Sequence, residues 1–350
     1  MTEAWDKPPV FDAGGHGLVQ AGIVVQDAIR TARGYTDLFG LGPWVFFDLL
    51  LDQMILDDRP LTGIETGVRI AMADLGRLQI ELLEPMYGPS TYMSFLKERG
   101  EGVHHLSFGR IEDHGRFVEA MTRAGQGIEM QGVWGGAVTF TYLATQKDLG
   151  VILEAVSPAP EGVRSTLRPW GRLDAEKPGP VDTTGKEVVQ VGLVVEDAEG
   201  MARRYRDLLG IGPWMFLEFK PPIASDGRLR GVALNPGEEA CVRIALARHE
   251  GLEIELIQPV AGPGTHMDFI KSHGPGVHHL SFGESRDHDE FVAGLTGRGI
   301  EVEMTGRLGD AVTYTYLDTR NDLGTIFEIV KTDPGKRPKI APYGMWPPSS

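Results

Sequence analysis

The chain is 350 residues long, carries a net charge of −15, and is 41% apolar and 24% charged, which is the profile of a folded protein with room for two ordinary domains. Such acidity offers no basic footprint for nucleic acid or an anionic membrane surface, and no apolar run reaches the ~18 residues that a membrane span needs. One cysteine, Cys241, excludes an internal disulfide, and the N-terminus lacks the basic and apolar regions of a signal peptide, so a cytoplasmic location is expected.

Residues 1–17 are rich in Pro and Gly and read as an irregular extension. The run VQAGIVVQD from Val19 is β-branched and apolar, a buried strand. In AIRTARGYTDLFGLG the apolar residues Ile29, Ala32, Tyr35 and Leu38 fall near helical spacing and a glycine stops the pattern, so a helix is predicted. GVRIAMADL and RLQIELLEP read as a hairpin closed by Pro85, and PSTYMSFLKERG as a short amphipathic helix. VHHLSFGR then reads as a strand and HGRFVEAMTRAG as a helix. VTFTYLATQ and GVILEAVSP form a second hairpin turning at Lys147–Gly150. The proline-rich, charged stretch 159–186 separates this first half from a second one, and residues 333–350 form a Pro-rich tail expected to be ordered only by packing back on the body.

The second half repeats the first. VQAGIVVQDAIRTARGYTDLFGLGPW, from Val19 to Trp44, returns as VQVGLVVEDAEGMARRYRDLLGIGPW, from Val189 to Trp214. VHHLSFG at Val103–Gly109 returns at Val277–Gly283, and the segment Thr139–Val156 returns at Thr313–Val330. Each half is itself double: VQAGIV lies over HHLSFG with Gln20 against His105, and IELLEP lies over LEAVSP with Glu81 against Glu154. The chain therefore holds four related βαβ-type units, and the repeat fixes two modules, 18–158 and 187–332, flanking the linker 159–186.

Four residue types recur at matched positions. Glu81 and Glu154 are single acids in otherwise apolar strand runs, and a carboxylate on a core face is costly unless it is paired or binds a cation. With Gln20 and His105 they form a mixed N/O set, and the second half offers Gln190, Glu255, His279 and Glu328. An amide oxygen, an imidazole and two carboxylates suit Zn, Mn, Co, Ni, Fe or Mg, with positions left for water or substrate oxygens. Strand alternation points His104 and His278 away from His105 and His279, giving them structural or supporting roles. His114, His249, His266, His273 and His288 show no ligand spacing, and Tyr142 and Tyr316 read as core.

The strand followed by Asp, the Y-x-x-x-(F/L)-G helix end, the IELLEP strand, the G-x-G-V-H-H-L-S-F block and the final-strand Glu together resemble the vicinal oxygen chelate superfamily, and within it methylmalonyl-CoA epimerase, over both halves. The resemblance implies an α+β fold of four βαβββ units paired into two half-open β-barrels, each cupping a divalent metal. It carries the ligand role to Gln20, Glu81, His105 and Glu154 and to Gln190, Glu255, His279 and Glu328. The order Gln–Glu–His–Glu is similar to eukaryotic glyoxalase I, whereas the epimerase begins with His.

Two departures narrow what the resemblance implies. The epimerase's catalytic Glu aligns with Ile70 and Ile244, and the glutathione-binding positions of glyoxalase I align near Val24 and Pro85, which do not support glutathione. What remains is a metal-dependent isomerase, epimerase or lyase that abstracts a proton α to the carbonyl of a small carbonyl or acyl substrate, with Glu154 and Glu328 as the catalytic carboxylates. Arg69 and Arg243 are candidates to anchor an anionic substrate group, and Trp44 and Trp214 to wall the pocket. The alternatives are a ring-cleaving, extradiol-type dioxygenase, whose iron needs two His where this chain has Gln190, and a small-molecule-binding protein of the same fold. The tandem chain is expected to act as a monomer mimicking a homodimer, or as a homodimer.

Overall fold

The computed structural model describes residues 7–175, 178–336 and 340–347. The start of the N-terminal extension and parts of the expected linker and tail thus lie outside the described residues. The first module runs β1 (Gln20–Val24), α1 (Ala28–Phe39), β2 (Trp44–Leu56), β3 (Arg59–Leu75), β4 (Leu78–Tyr87), α2 (Thr91–Arg99), β5 (Gly102–Arg110), α3 (His114–Arg123), β6 (Ile128–Trp134), β7 (Val138–Leu143), α4 (Gln146–Leu149) and β8 (Ile152–Val156). A short strand β9 (Gly171–Leu173) follows. The second module runs β10 (Gln190–Val194), α5 (Ala198–Leu209), β11 (Trp214–Phe219), β12 (Ala224–Leu229), β13 (Val232–Ala233), β14 (Cys241–His249), β15 (Leu252–Ala261), α6 (Thr265–His273) and β16 (Gly276–Glu284). It ends with α7 (His288–Thr296), β17 (Glu301–Leu308), β18 (Val312–Asp318), α8 (Arg320–Leu323), β19 (Ile326–Thr332) and β20 (Gly344–Trp346).

Local chemistry sets the element ends. Asp27 caps α1 by accepting from the Arg30 amide, and Asp197 caps α5 by accepting from Gly200. Gly40 and Gly210 end these helices at φ 62° and 71°, left-handed values that a side chain resists. The expected turn at Lys147–Gly150 is the one-turn helix α4, and in the first module the strands β2 and β6, which the βαβββ pattern implied, were not placed by local sequence.

Each module curls one mixed sheet around a cup. In module one the order is β3-β4-β1-β5-β8-β7-β6-β2-β9, and β2 also pairs with β3, so eight strands close into a ring. The closure comes from the long β2–β3 hairpin, whose far end reaches β6 through Ile55↔Gln131 and Leu56↔Met130. Module two has the order β13-β12-β17-β18-β19-β16-β10-β15-β14-β11-β20, and its sheet stays half-open because β11 and β12 are separate short strands. The linker and tail play matching parts: β9 pairs with β2 (Trp44↔Leu173) and β20 with β11 (Trp214↔Trp346).

The two sheets share one core through α1 and α5. Tyr35 and Phe39 of α1 meet Phe327 of β19 at ring distances of 6.1 and 5.0 Å, and Tyr205 of α5 donates to the Leu149 carbonyl at 2.7 Å. This apolar layer lies outside the cups, leaving their inner faces for other work.

Candidate metal centres

Register brings the predicted ligands onto one face. In module one Gly22 pairs with both Glu81 and His105, Gln20 pairs with Gln79 and Ser107, and Ser107 pairs with Glu154. Side chains directly opposite in register share a sheet face, so Gln20, Glu81, His105 and Glu154 converge inside the cup. Module two repeats the pairing with Gly192, Glu255, His279, Gln190, Ser281 and Glu328.

At the floor, His105 Nε2 lies 3.4 Å from Glu81 Oε2 and 3.7 Å from Glu154 Oε2. His279 Nε2 lies 3.6 Å from Glu255 Oε2 and 3.7 Å from Glu328 Oε2. His105 Nε2, Glu81 Oε2 and His279 Nε2 are buried without a hydrogen-bond partner. Buried polar atoms normally have one. Donors each about 2.1 Å from a shared tetrahedral cation stand about 3.4 Å apart, so the spacing fits a divalent ion, as does the donor chemistry. Gln20 Nε2 donates to Gln79 Oε1 at 2.7 Å and Gln190 Nε2 to Glu253 Oε1 at 2.8 Å, which leaves each amide oxygen as the atom to offer a cation.

Burial dominates the electrostatics. It pushes Glu81 up to about 8 and raises Glu154, where the nearby His105 and hydrogen bonds from Ser107 and Tyr142 act in the opposite sense. Burial also raises Glu255 well above the carboxylate range, with Glu328 adding to it, and pushes Glu328 up to about 7 against hydrogen bonds from Ser281 and Tyr316. The imidazoles of His105 and His279 are held below the usual histidine range by the same burial. Charges so destabilised are what a cation would relieve.

His104 and His278 overturn the alternation argument. The pairing of β1 with β5 jumps from Gly22↔His105 to Ile23↔Val103, so His104 is the extra residue of a β-bulge and turns to the same side as His105. His104 Nδ1 and His105 Nδ1 are 3.2 Å apart, and His278 Nδ1 and His279 Nδ1 3.1 Å. Behind them, Thr91 Oγ1 is 3.1 Å from His104 Nε2, and Thr265 Oγ1 is 3.0 Å from His278 Nε2.

The expected substrate contacts lie elsewhere. Ile70 and Ile244 face into their cups, so their neighbours Arg69 and Arg243 point out, to Asp48 at 2.9 Å and Glu218 at 3.3 Å. Trp44 and Trp214 are fully buried in the shared core, donating to the carbonyls of Leu41 and Ile211, so they wall no pocket. Both corrections follow from strand alternation beside an apolar cup and from the helix layer packed behind it.

The cups differ in what fills them. Module two holds a cavity of about 350 Å³ bounded by Gln190, Glu255, Glu328, His266 and Tyr316, with apolar walls including Phe219, Ile244 and Leu308. In module one Leu51, Met54, Met130, Phe140 and Ile152 pack into an apolar cluster with Trp134 against it, where the sequence repeat puts Leu308. The sequence set His266 aside for want of ligand spacing, and its repeat partner is Tyr92, so the duplication gave no second copy to notice. Its Nε2 is buried and partnerless, and burial pulls the ring down to about 4. Ring nitrogens of His266, His278 and His279 lie within 4.8 Å of one another, a group that could also hold a metal, although both nitrogens of His278 are already engaged by Thr265 and His279.

A curled pair of sheets with a mixed carboxylate–imidazole set in each cup is an architecture suited to a divalent cation and a small ligand. The chain belongs to the glyoxalase/bleomycin resistance protein/dioxygenase superfamily, also known by its vicinal oxygen chelate fold, whose family model matches residues 19–142 and 189–316. Members are mostly metal-dependent enzymes. No match was found among curated proteins. Among solved structures, a triple mutant of 4-hydroxymandelate synthase from Streptomyces coelicolor is 14% identical, covering 92% of this chain and 94% of that one at a TM-score of 0.56. Methylmalonyl-CoA epimerase from Mycobacterium tuberculosis is 27% identical over 41% of this chain and 89% of its own, at a TM-score of 0.30. The first likeness concerns the fold. Among the described residues no helix is long and apolar enough to cross a membrane.

Proposed function

We propose that the protein is a metal-dependent isomerase, epimerase or lyase whose proton-transfer chemistry runs in module two, at a carbon next to the carbonyl of a small, largely apolar substrate. One observation carries this reading: Glu255 and Glu328, two carboxyl groups with strongly raised affinity for a proton, border a cavity of about 350 Å³. Gln190, Glu255, His279 and Glu328 would hold the metal, which when bound supplies Lewis-acid polarisation of a carbonyl. The apolar wall of Phe219, Val242, Ile244 and Leu308 excludes water and orients an acyl or alkyl group. Glu328 is the group placed to take and return the proton, because it borders the cavity and Tyr316 fixes its carboxyl by a hydrogen bond. Among the described residues Arg248 is the one Lys or Arg bordering the cavity, so a polyanionic substrate group finds little to hold it inside. In module one the closed ring and packed cup suit a set that binds a cation for structure.

The test is turnover of candidate 2-oxo acids and acyl thioesters in D₂O by the metal-loaded enzyme. Deuterium should enter the α carbon, Glu328→Gln should suppress that exchange at least ~100-fold, and Glu154→Gln should leave it within a few-fold. Unchanged exchange in Glu328→Gln would overturn the assignment.

A second reading has its own support. His266 brings another imidazole close to His279 in module two alone, which moves that site toward the two-His, one-carboxylate sets of iron oxygenases. Stoichiometric O₂ uptake by the iron-loaded protein, lost in His266→Ala, would favour it.

A further inference from the structure

A buried chain of hydrogen bonds stands behind each candidate ligand histidine. In module one Thr91 Oγ1 donates to Glu129 Oε1 at 2.6 Å and lies 3.1 Å from His104 Nε2, and His104 Nδ1 lies 3.2 Å from His105 Nδ1. In module two the same steps are Thr265 to Glu303 at 3.3 Å, Thr265 to His278 at 3.0 Å and His278 to His279 at 3.1 Å. The order of donors is forced. A carboxylate only accepts, so the threonine proton goes to the glutamate and the threonine oxygen must accept from histidine Nε2–H. A neutral imidazole carrying its proton on Nε2 has a bare Nδ1, so His104 accepts from His105 Nδ1–H. His105 Nε2 is then left as a lone pair facing Glu81 and Glu154.

We propose that Glu129, Thr91 and His104, and likewise Glu303, Thr265 and His278, are positioning residues that lock His105 and His279 in the Nδ1–H tautomer and present Nε2 to a cation. This rests on the reading of the two sets as metal sites. The anchor of the chain argues against a passive copy. Gln146 holds Glu129 in module one, whereas Arg230 and Arg320 grip Glu303, at 2.7 and 3.2 Å, in module two. What holds the carboxylate differs between the modules, while the carboxylate, hydroxyl and two rings keep their arrangement. The β-bulge at His104 and His278 is what allows two successive residues to join one chain. An outer partner fixing a ligand's tautomer and raising its basicity is a general need of imidazole sites.

The experiment is histidine ¹⁵N NMR on the full-length, metal-free protein, followed by Co(II) titration read by visible absorption in a His105→Ala background that isolates module two. His105 and His279 should show protonated Nδ1 and bare Nε2, and His104 and His278 the reverse. Thr265→Val should shift His279 toward the Nε2–H form and weaken Co(II) binding about 10–100-fold, and Thr265→Ser should restore both. Nε2–H on His105 and His279 in the unmodified protein would overturn the proposal, as would Thr265→Val with tautomer and affinity unchanged. The expected tautomers in a protein that takes up no Co(II) would support the relay and sink the metal reading instead.

Discussion

Gly22 lies against the face of the His105 ring: a Cβ built on Gly22 would fall 1.9 Å from His105 Cε1, and one on Gly192 would fall 2.0 Å from His279 Cε1. Neither glycine is needed for its backbone angle; each is a space left for an imidazole. The ring can therefore lie flat across the strand that pairs with it and aim Nε2 at the two carboxylates.

Gly22→Ala and Gly192→Ala should each abolish cation binding in their own module, because the ring is displaced from Glu81 and Glu154, or from Glu255 and Glu328. Overpacking of this kind costs about 1–3 kcal/mol, so the fold should survive with a lowered melting temperature. Calorimetric Zn titration of each variant checks this, and full stoichiometry in either would show that the ring has another way to reach the site.

The fold, and the convergence of the eight candidate ligands in their cups, were legible in the sequence for one reason. Gln20, Glu81, His105 and Glu154 sit on strands whose alternation is regular, and the repeat printed each of them twice. The misreadings fall where regularity breaks. His104 is turned by a bulge, which no local pattern announces. Strand β2 carries residues that alternate poorly, such as Asp48 and Asp52 among leucines, because its pairing rather than its pattern holds it in the sheet. Arg69 and Arg243 looked like anchors because they recur, yet recurrence also preserves an outward ion pair. His266 is invisible to any argument from duplication. Glu129 and Glu303 were passed over because an acid near a strand start reads as surface until the threonine beneath it is placed.

The metal-free protein should lose stability as pH rises from about 6.5 to 8. Glu81, pushed up to about 8, and Glu328, up to about 7, have folded affinities above the ordinary 4.5, so the folded state binds more protons than the unfolded chain and its advantage disappears as pH climbs through those values. The buried imidazoles act in the opposite sense, since His104, His105, His266, His278 and His279 are lowered from 6.5, but their contribution is complete once pH exceeds that value. Above 6.5 only the carboxyl term slopes, by at most about 1.4 kcal/mol per pH unit for each group. A bound cation removes the protons these groups would hold, so the metal-saturated protein should show a flatter profile. Urea midpoints at pH 6.5, 7.2 and 8, with and without Zn, measure the difference; a rising midpoint without metal would refute it.

The difference between the two cups yields the last prediction. Leu308 borders the module-two cavity, and the repeat puts Trp134 at its place in module one, where the indole packs against the cluster that occupies the cup and meets Phe47 at a ring distance of 5.8 Å. Leu308→Trp should therefore fill the cavity in the way module one is filled. It leaves Gln190, Glu255, His279 and Glu328 untouched, so metal stoichiometry should stay the same while KM for any substrate rises at least ~10-fold or turnover disappears. The converse change, Trp134→Leu, opens space in a cup with Leu51, Met54 and Phe140 still in it, and should cost about 2–4 kcal/mol of stability with no effect on turnover. Steady-state kinetics and thermal melts on the pair separate the outcomes. If Trp134→Leu lowers kcat while Leu308→Trp does not, module one and not module two is where the substrate sits.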